Sequence, residues 1–179
     1  EALAFHESVP GHHLQFALAQ ELEELPRFRR FGYVTAFSEG WALYTERLGK
    51  EMGFYEDPYS DFGRIAAELW RATRLVVDTG LHSKRWTREQ AIRYLDENTP
   101  SPRASNESAV DRYLAVPGQA TAFTVGMLRI LEERERARQA LGARFDLRQF
   151  HAVVLENGYV PLWALSEAID RWIVQARAD

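Results

Sequence analysis

Three of the chain's five histidines fall within eight positions, His6, His12 and His13, and the first is followed at once by Glu7. A His-Glu pair with further histidines close behind is metal chemistry in type. Neutral imidazoles coordinate zinc, and an adjacent carboxylate takes a proton from water activated there. In the zinc-protease pattern H-E-x-x-H the two histidines are four apart, so they share one helix face. Here Pro10 stands four residues after His6, and the next histidines come six and seven residues on. In an unbroken helix His12 would point about 240° round from His6, and His13 would lie nearly in line with it but about 10.5 Å farther along. Neither serves one ion as it stands. A bulge at Pro10-Gly11 that absorbs two residues brings His12 to the four-apart position, and one that absorbs three brings His13 there.

A catalytic zinc takes three protein ligands and keeps a position open for water. Glu39 is the candidate third ligand. It sits among aromatic and small residues in Phe37-Ser38-Glu39-Gly40-Trp41-Ala42-Leu43-Tyr44-Thr45-Glu46, and a carboxylate in apolar company is costly unless paired or bound to a cation. With a metal held by His6, by His12 or alternatively His13, and by Glu39, Glu7 is the expected general base. Hydrolysis also needs a donor for the developing oxyanion. Tyr113 and His82 are the candidates, although core packing or helix pairing accounts for each equally well. Asp78 could orient a ligand histidine, or pair with Arg74 or His82.

The elements that must hold these groups read as helices. Residues from Glu1 to about Glu24 form one helix interrupted at Pro10-Gly11, where the proline removes a backbone hydrogen bond, and Pro26 ends it. A basic connector, Arg27 to Arg30, leads to a helix through Glu39 that runs to about Met52, with Phe31 to Val34 as the one stretch that could be a strand. A third helix from Tyr59 to about His82 carries Phe62, Ile65, Leu69 and Val76 at helical spacing, with Arg74, Asp78 and His82 four apart on another face. Thr87-Arg88-Glu89-Gln90 matches a capping box and opens a helix to about Leu95. Further helices run from about Glu107 to Ala115 and, after the break at Pro117-Gly118, from about Ala120 to Leu141. In the latter, Glu132-Glu133-Arg134-Glu135-Arg136 reads as a solvated face of paired charges. Asp146 to Gln149 is a second capping box, Asn157-Gly158 a C-cap, and Pro161 opens a last helix to about Ala176. The fold class is therefore all-α, with residues 1–179 as one helical domain.

Composition narrows the function. The chain has 179 residues, 46% hydrophobic and 12% aromatic, enough for a packed core, with a net charge of -4. That balance makes no case for nucleic acid or an anionic membrane as partner, no apolar run is long enough to span a bilayer, and peptides or small amides are the expected substrates. With no cysteine, disulfides and thiolate chemistry are excluded, so zinc must use His, Asp or Glu. The chain begins at Glu1 without an initiator Met and enters its functional-looking helix within five residues. We read it as a fragment of a larger helical protein, with any signal peptide upstream of it.

Ser38 to Glu46 resembles the segment of the aminopeptidase N family in which Asn-Glu-Gly-Phe-Ala supplies the glutamate zinc ligand, within the peptidases called gluzincins. The chain as a whole is more closely similar to the C-terminal part of the bacterial family known as domain of unknown function 885. Its His-Glu-x-x-Pro-Gly-His-His-Leu-Gln stands at His6 to Gln15, its Glu-Gly-Trp-Ala-Leu-Tyr at Glu39 to Tyr44, and later pieces at Val77 to His82 and from Arg112-Tyr113 through Pro117-Gly118-Gln119. The resemblance implies a mostly helical zincin-like hydrolase with a kinked active-site helix and one zinc ion. Its ligands would be His6, Glu39 and His12 or His13, with Glu7 as base and Gln119 lining the cleft. Gly11-His12 resembles the Gly-His that ends the motif in angiotensin-converting enzyme and oligopeptidases, which favours His12. His13-Leu14-Gln15-Phe16 resembles the ligand of the former enzyme and the residues just after it, which favours His13. We take His12, with His13 as the alternative. The expected function is a zinc metallopeptidase. The alternatives are a non-catalytic metal-binding helical domain and a metal hydrolase acting on esters or other non-peptide bonds.

Overall fold

Prolines, glycines and capping side chains fix most of the helix boundaries. The computed structural model describes residues 1–178, and among them the chain is all-helical, without strands. In order come α1 (Ala2–Glu7), α2 (His12–Glu21), the single-turn α3 (Arg27–Arg30), α4 (Thr35–Glu51), α5 (Pro58–His82), α6 (Arg88–Asn98), α7 (Arg103–Ala115), α8 (Gln119–Leu141), α9 (Leu147–Leu155) and α10 (Leu162–Ala178). Asp57 caps α5 by accepting the Ser60 N–H, with Pro58 as first helical residue. Thr87 and Gln90 form the reciprocal capping box of α6. At α9, Asp146 accepts the N–H groups of Arg148 and Gln149. Each interaction satisfies backbone donors that a helix start leaves open.

Several expectations shift. Helix α7 begins at Arg103 rather than near Glu107, directly after Pro102, whose fixed backbone suits a helix entrance. Phe31 to Val34 is a connector, and the basic stretch before it is helical. Asn157-Gly158 lies in the turn beyond α9, which ends at Leu155. The charged run on α8 is only partly solvated: Glu133 is buried and bonds Arg136, while Arg134 reaches across to Glu51 on α4 at 2.7 Å.

The larger hydrophobic core lies where α4 and α8 cross, with α9 and α10 packed behind them around Trp41, Tyr44, Ile130, Phe150 and Leu165. The crossing is close because Gly40 meets Gly126. A Cβ on Gly40 would stand 2.5 Å from the Gly126 backbone, and one on Gly126 would stand 1.8 Å from the Ala36 carbonyl oxygen. A smaller core joins the C-terminal half of α5 to α6 and α7 through Val77, Ile92, Leu95, Val110 and Tyr113. Helix α5 contacts both bodies, packing on α8 as well as on α6 and α7.

The face that α5 buries is not its apolar stripe. Phe62, Ile65, Leu69 and Val76 are exposed, whereas Arg71, Thr73, Arg74, Val77 and Asp78 are buried. Periodicity marks a face that favours cover without saying what covers it, and here the covered face mixes Arg71, Thr73, Arg74 and Asp78 with the apolar Val77 and Leu81. No single helix among the described residues is long and apolar enough to cross a membrane; α7 and α8 meet that test only as a pair bent by 92°.

Candidate metal centre and cleft

The break after α1 is complete. The structure has two helices separated by Ser8 to Gly11, rather than one kinked helix. Gly11 makes this possible by pressing its backbone onto the open end of α1, so that a Cβ there would lie 2.0 Å from the His6 carbonyl oxygen and 2.2 Å from that of Phe5. No other residue type fits. Two side chains of α4 pin the connection: Trp41 Nε1 donates to the Pro10 carbonyl at 2.8 Å, and Thr45 Oγ1 donates to that of Phe5 at 2.9 Å.

This geometry carries His12, not His13, to His6. The two rings lie 4.9 Å apart and nearly perpendicular, while His13 is exposed at the start of α2. Glu39 completes the group from α4: its Oε2 lies 3.6 Å from His6 Nε2 and 3.2 Å from His12 Nε2, and donor atoms of all three residues fall within 4.8 Å of one another. Ligands about 2.0–2.1 Å from a tetrahedral zinc stand roughly 3.4 Å from each other. The two oxygen–nitrogen separations bracket that value, so the residues present fit a cation bound by two nitrogens and one oxygen.

The surroundings orient the donors. His6 presents Nε2 to the cluster because its Nδ1–H donates to Glu46 Oε1 at 2.8 Å, and Arg71 Nη2 closes on the same Glu46 oxygen at 3.0 Å. A carboxylate behind a ligand imidazole fixes its tautomer and raises its basicity. Glu39 spends its other oxygen, Oε1, on the Tyr33 hydroxyl at 3.0 Å. Burial alone would lower the His6 pKa, yet the Glu39 and Glu46 carboxylates outweigh it and raise the value, with Arg71 opposing them. Burial likewise pushes the Glu39 carboxyl up, and hydrogen bonds from His12, His6 and Tyr33 reverse this, holding it well below the usual carboxylate range. Glu39 thus stays an anion facing two imidazoles, a donor set able to hold a divalent ion.

His6, Glu7, His12 and Glu39 line one side of a cleft of about 840 Å³. Its other side comes from Trp70, Arg71 and Arg74 on α5, from Ser105, Ser108, Arg112 and Tyr113 on α7, and from Gln119 and Phe123 on α8. Glu7 is exposed in this cleft at the end of α1. Tyr113 is buried with its hydroxyl unpartnered among the described residues. His82 is not brought to the cleft. It is exposed at the end of α5, where its Nε2–H donates to the Tyr113 carbonyl at 2.9 Å. Asp78 does not orient a ligand either; its carboxylate accepts the Gly118 N–H at 3.0 and 3.1 Å. Together with Arg74, which donates to Gln119 Oε1 at 3.4 Å, these residues tie the Pro117-Gly118 turn to α5 and so position Tyr113 and Gln119.

Sequence reasoning missed Glu46, Arg71 and Tyr33. The signal for Glu46 was present, since it follows Glu39 by seven residues and two helical turns return to the same face. Tyr33 lies in a connector without periodicity, and Arg71 in a helix whose apolar pattern points elsewhere.

An all-helical protein with a cation-competent cluster in the wall of a cleft is the class this geometry defines. The chain belongs to the family described as "Bacterial protein of unknown function (DUF885)", which matches residues 1–169. Among solved structures it is similar to one described as a "putative lipoprotein" from Colwellia psychrerythraea, at 51% identity and a TM-score of 0.95 over 97% of this chain and 30% of that one. Another, a "putative lipoprotein of unknown function" from Shewanella oneidensis, shares 29% identity with a TM-score of 0.86 over 93% of this chain and 30% of its own. The chain thus spans about a third of the length of these relatives. Comparison with curated proteins returns no match.

Proposed function

We propose that this chain carries the active site of a zinc-dependent hydrolase, a metallopeptidase of gluzincin type acting on peptides or small amides. The observation that carries the reading is the His6–His12–Glu39 cluster, with Glu46 behind His6, opening onto a cleft that Glu7 also lines. Zinc held by His6, His12 and Glu39 would supply a Lewis acid and lower the pKa of a bound water toward about 7. Glu7 then accepts the proton of the attacking water on its carboxylate and passes it to the leaving amine. The Tyr113 hydroxyl, buried, unpartnered and in the cleft wall, is the group suited to donate to the oxyanion. A donor of that kind is worth about 2.7–4 kcal/mol in the transition state. A closed structural zinc site would need a fourth protein ligand. His13 is exposed, and the cluster contains three residues, which favours the catalytic reading over a non-catalytic one.

Metal analysis and peptide hydrolysis test this together. One zinc per chain is expected, lost in His6→Ala and Glu39→Ala, whereas Glu7→Gln keeps the metal and loses hydrolysis by about a hundredfold or more. Stoichiometric zinc retained by Glu39→Ala removes the gluzincin assignment. Full activity in Glu7→Gln removes the proposed base.

A further inference from the structure

The α5 and α7 side of the cleft has charge chemistry opposite to that of the metal side. The carboxylates lining the cleft, Glu7 and Glu39, both belong to the metal side, and the other side presents Arg71, Arg74 and Arg112. Arg71 is committed to Glu46 at 3.0 Å. Arg74 is not committed to any acid. It is 6% exposed, its Nε has no partner among the described residues, and it makes no ion pair there; its one side-chain hydrogen bond is the 3.4 Å contact to Gln119.

A guanidinium remains charged at any physiological pH and carries five N–H donors. Burying such a charge without a counter-ion is unfavourable. The rings of Phe123, Trp70 and Tyr113, with centroids 4.4, 4.8 and 5.4 Å from the Arg74 guanidinium carbon, supply cation–π attraction and clamp the group in place. They do not satisfy its edge donors. A rigid planar fork with unmet N–H groups, lining an open cleft, matches a carboxylate bound through two parallel hydrogen bonds. Arg112 is exposed in the same cleft with no ion pair among the described residues, and the Ser105 and Ser108 hydroxyls lie beside it on α7.

We propose that Arg74, assisted by Arg112, forms a carboxylate-binding subsite, so that the substrate of the metal centre is a peptide or amide carrying a free carboxylate near the bond to be cut. The inference rests on the hydrolase reading for the position of that bond, but not for the subsite itself. The carboxylate has two possible sources, the α-carboxylate of a chain end or an acidic side chain.

Metal-stripped full chain is the sample, and calorimetry or NMR titration the readout, so that binding is measured without turnover. The probes are N-acetyl-trialanine as free acid and as amide, and acetyl-Ala-Glu-Ala amide against acetyl-Ala-Gln-Ala amide. At least one charged probe is expected to bind about tenfold more tightly than its neutral partner; the free-acid pair assigns the chain end and the glutamate pair the side chain. Arg74→Gln should erase the preference, Arg74→Lys should keep a reduced one, and Arg112→Gln should weaken it a few-fold. Equal binding of charged and neutral probes by the parent protein overturns the proposal, as does a preference that survives in folded Arg74→Gln. If that variant does not fold, the parental comparison and the exposed Arg112→Gln decide. Zinc content, measured separately on parent and variants, tells failure of the metal centre from failure of the subsite.

Discussion

Helix α4 holds a histidine on each of two opposite faces, and their surroundings differ in sign. Glu46 contacts His6 at 2.8 Å. Tyr44, two residues earlier and so about 200° round the helix, donates its hydroxyl to His151 Nε2 at 2.7 Å. The His6 ring is buried and the His151 ring half-buried, yet the carboxylates around His6 raise its pKa against the pull of burial. At His151, burial and the nearby Arg134 charge push the value down to about 4, with Glu51 only partly opposing them. Burial is therefore not what suits a histidine to metal binding. The difference lies in which charge lies behind and in front of the ring: anions on both sides of His6, and a hydroxyl backed by a guanidinium at His151, which keeps that ring neutral and structural.

The contrast between the two rings is tested most severely at Glu46. Replacing it with Ala removes the acceptor that orients His6 and leaves Arg71, only 8% exposed, without a counter-ion. Breaking a buried pair in this way costs about 3–5 kcal/mol, and losing the orienting partner of a metal ligand typically lowers metal affinity 10–100-fold. Denaturant unfolding and zinc titration should both register the change. Unchanged zinc affinity in Glu46→Ala would mean that the carboxylate behind His6 serves the fold alone.

How much of this was legible in the residues varies with the kind of interaction. Caps are local chemistry, and Asp57, Thr87 with Gln90, and Asp146 stand where backbone donors need them. The His6–Glu39 pairing was legible as well, because two unlike residue types with complementary costs, a histidine cluster and a carboxylate in apolar company, imply each other. The choice of His12 is not settled by spacing, since the number of residues a break absorbs depends on the Gly11 backbone meeting the carbonyls of α1, a contact without a periodic signature. The face α5 buries is hidden from the sequence for a related reason. Its stripe of Phe62, Ile65 and Leu69 is periodic but exposed, while the buried Arg71, Arg74 and Asp78 obtain their partners from α4 and α8 and from the turn between α7 and α8. His82 lies outside the cleft lining, bonded to the Tyr113 carbonyl, a position that only tertiary placement supplies.

A second test uses the low pKa of His151. Above about pH 6.5 the ring is neutral in both folded and unfolded chains, so protonation does not affect stability. As the pH falls from about 6.5 to about 4, the unfolded chain takes up a proton that the folded chain refuses, and stability drops through that window. The gap between those values corresponds to roughly 3 kcal/mol, which screening of a partly exposed ring reduces to about 1–2 kcal/mol. His151→Gln should therefore lose less stability than the parent between pH 6.5 and 4, read as the urea midpoint at each pH. A parental ring proton that titrates near 6.5 by NMR would remove the contrast with His6.

The smallest effect is also the most selective. Tyr44→Phe deletes one hydroxyl that donates to His151 and accepts from Arg134 at 3.2 Å, while Arg134 keeps its two bonds to Glu51 at 2.7 and 2.9 Å. The ring stays in the core and no charge is stranded, so the loss should be about 1 kcal/mol, the net worth of an ordinary hydrogen bond. Zinc affinity should not change, because Tyr44 and Glu46 leave α4 on opposite sides. If Tyr44→Phe weakened zinc binding as Glu46→Ala is expected to, the two faces of α4 would be coupled through the helix, and the neutral histidine would belong to the candidate metal site after all.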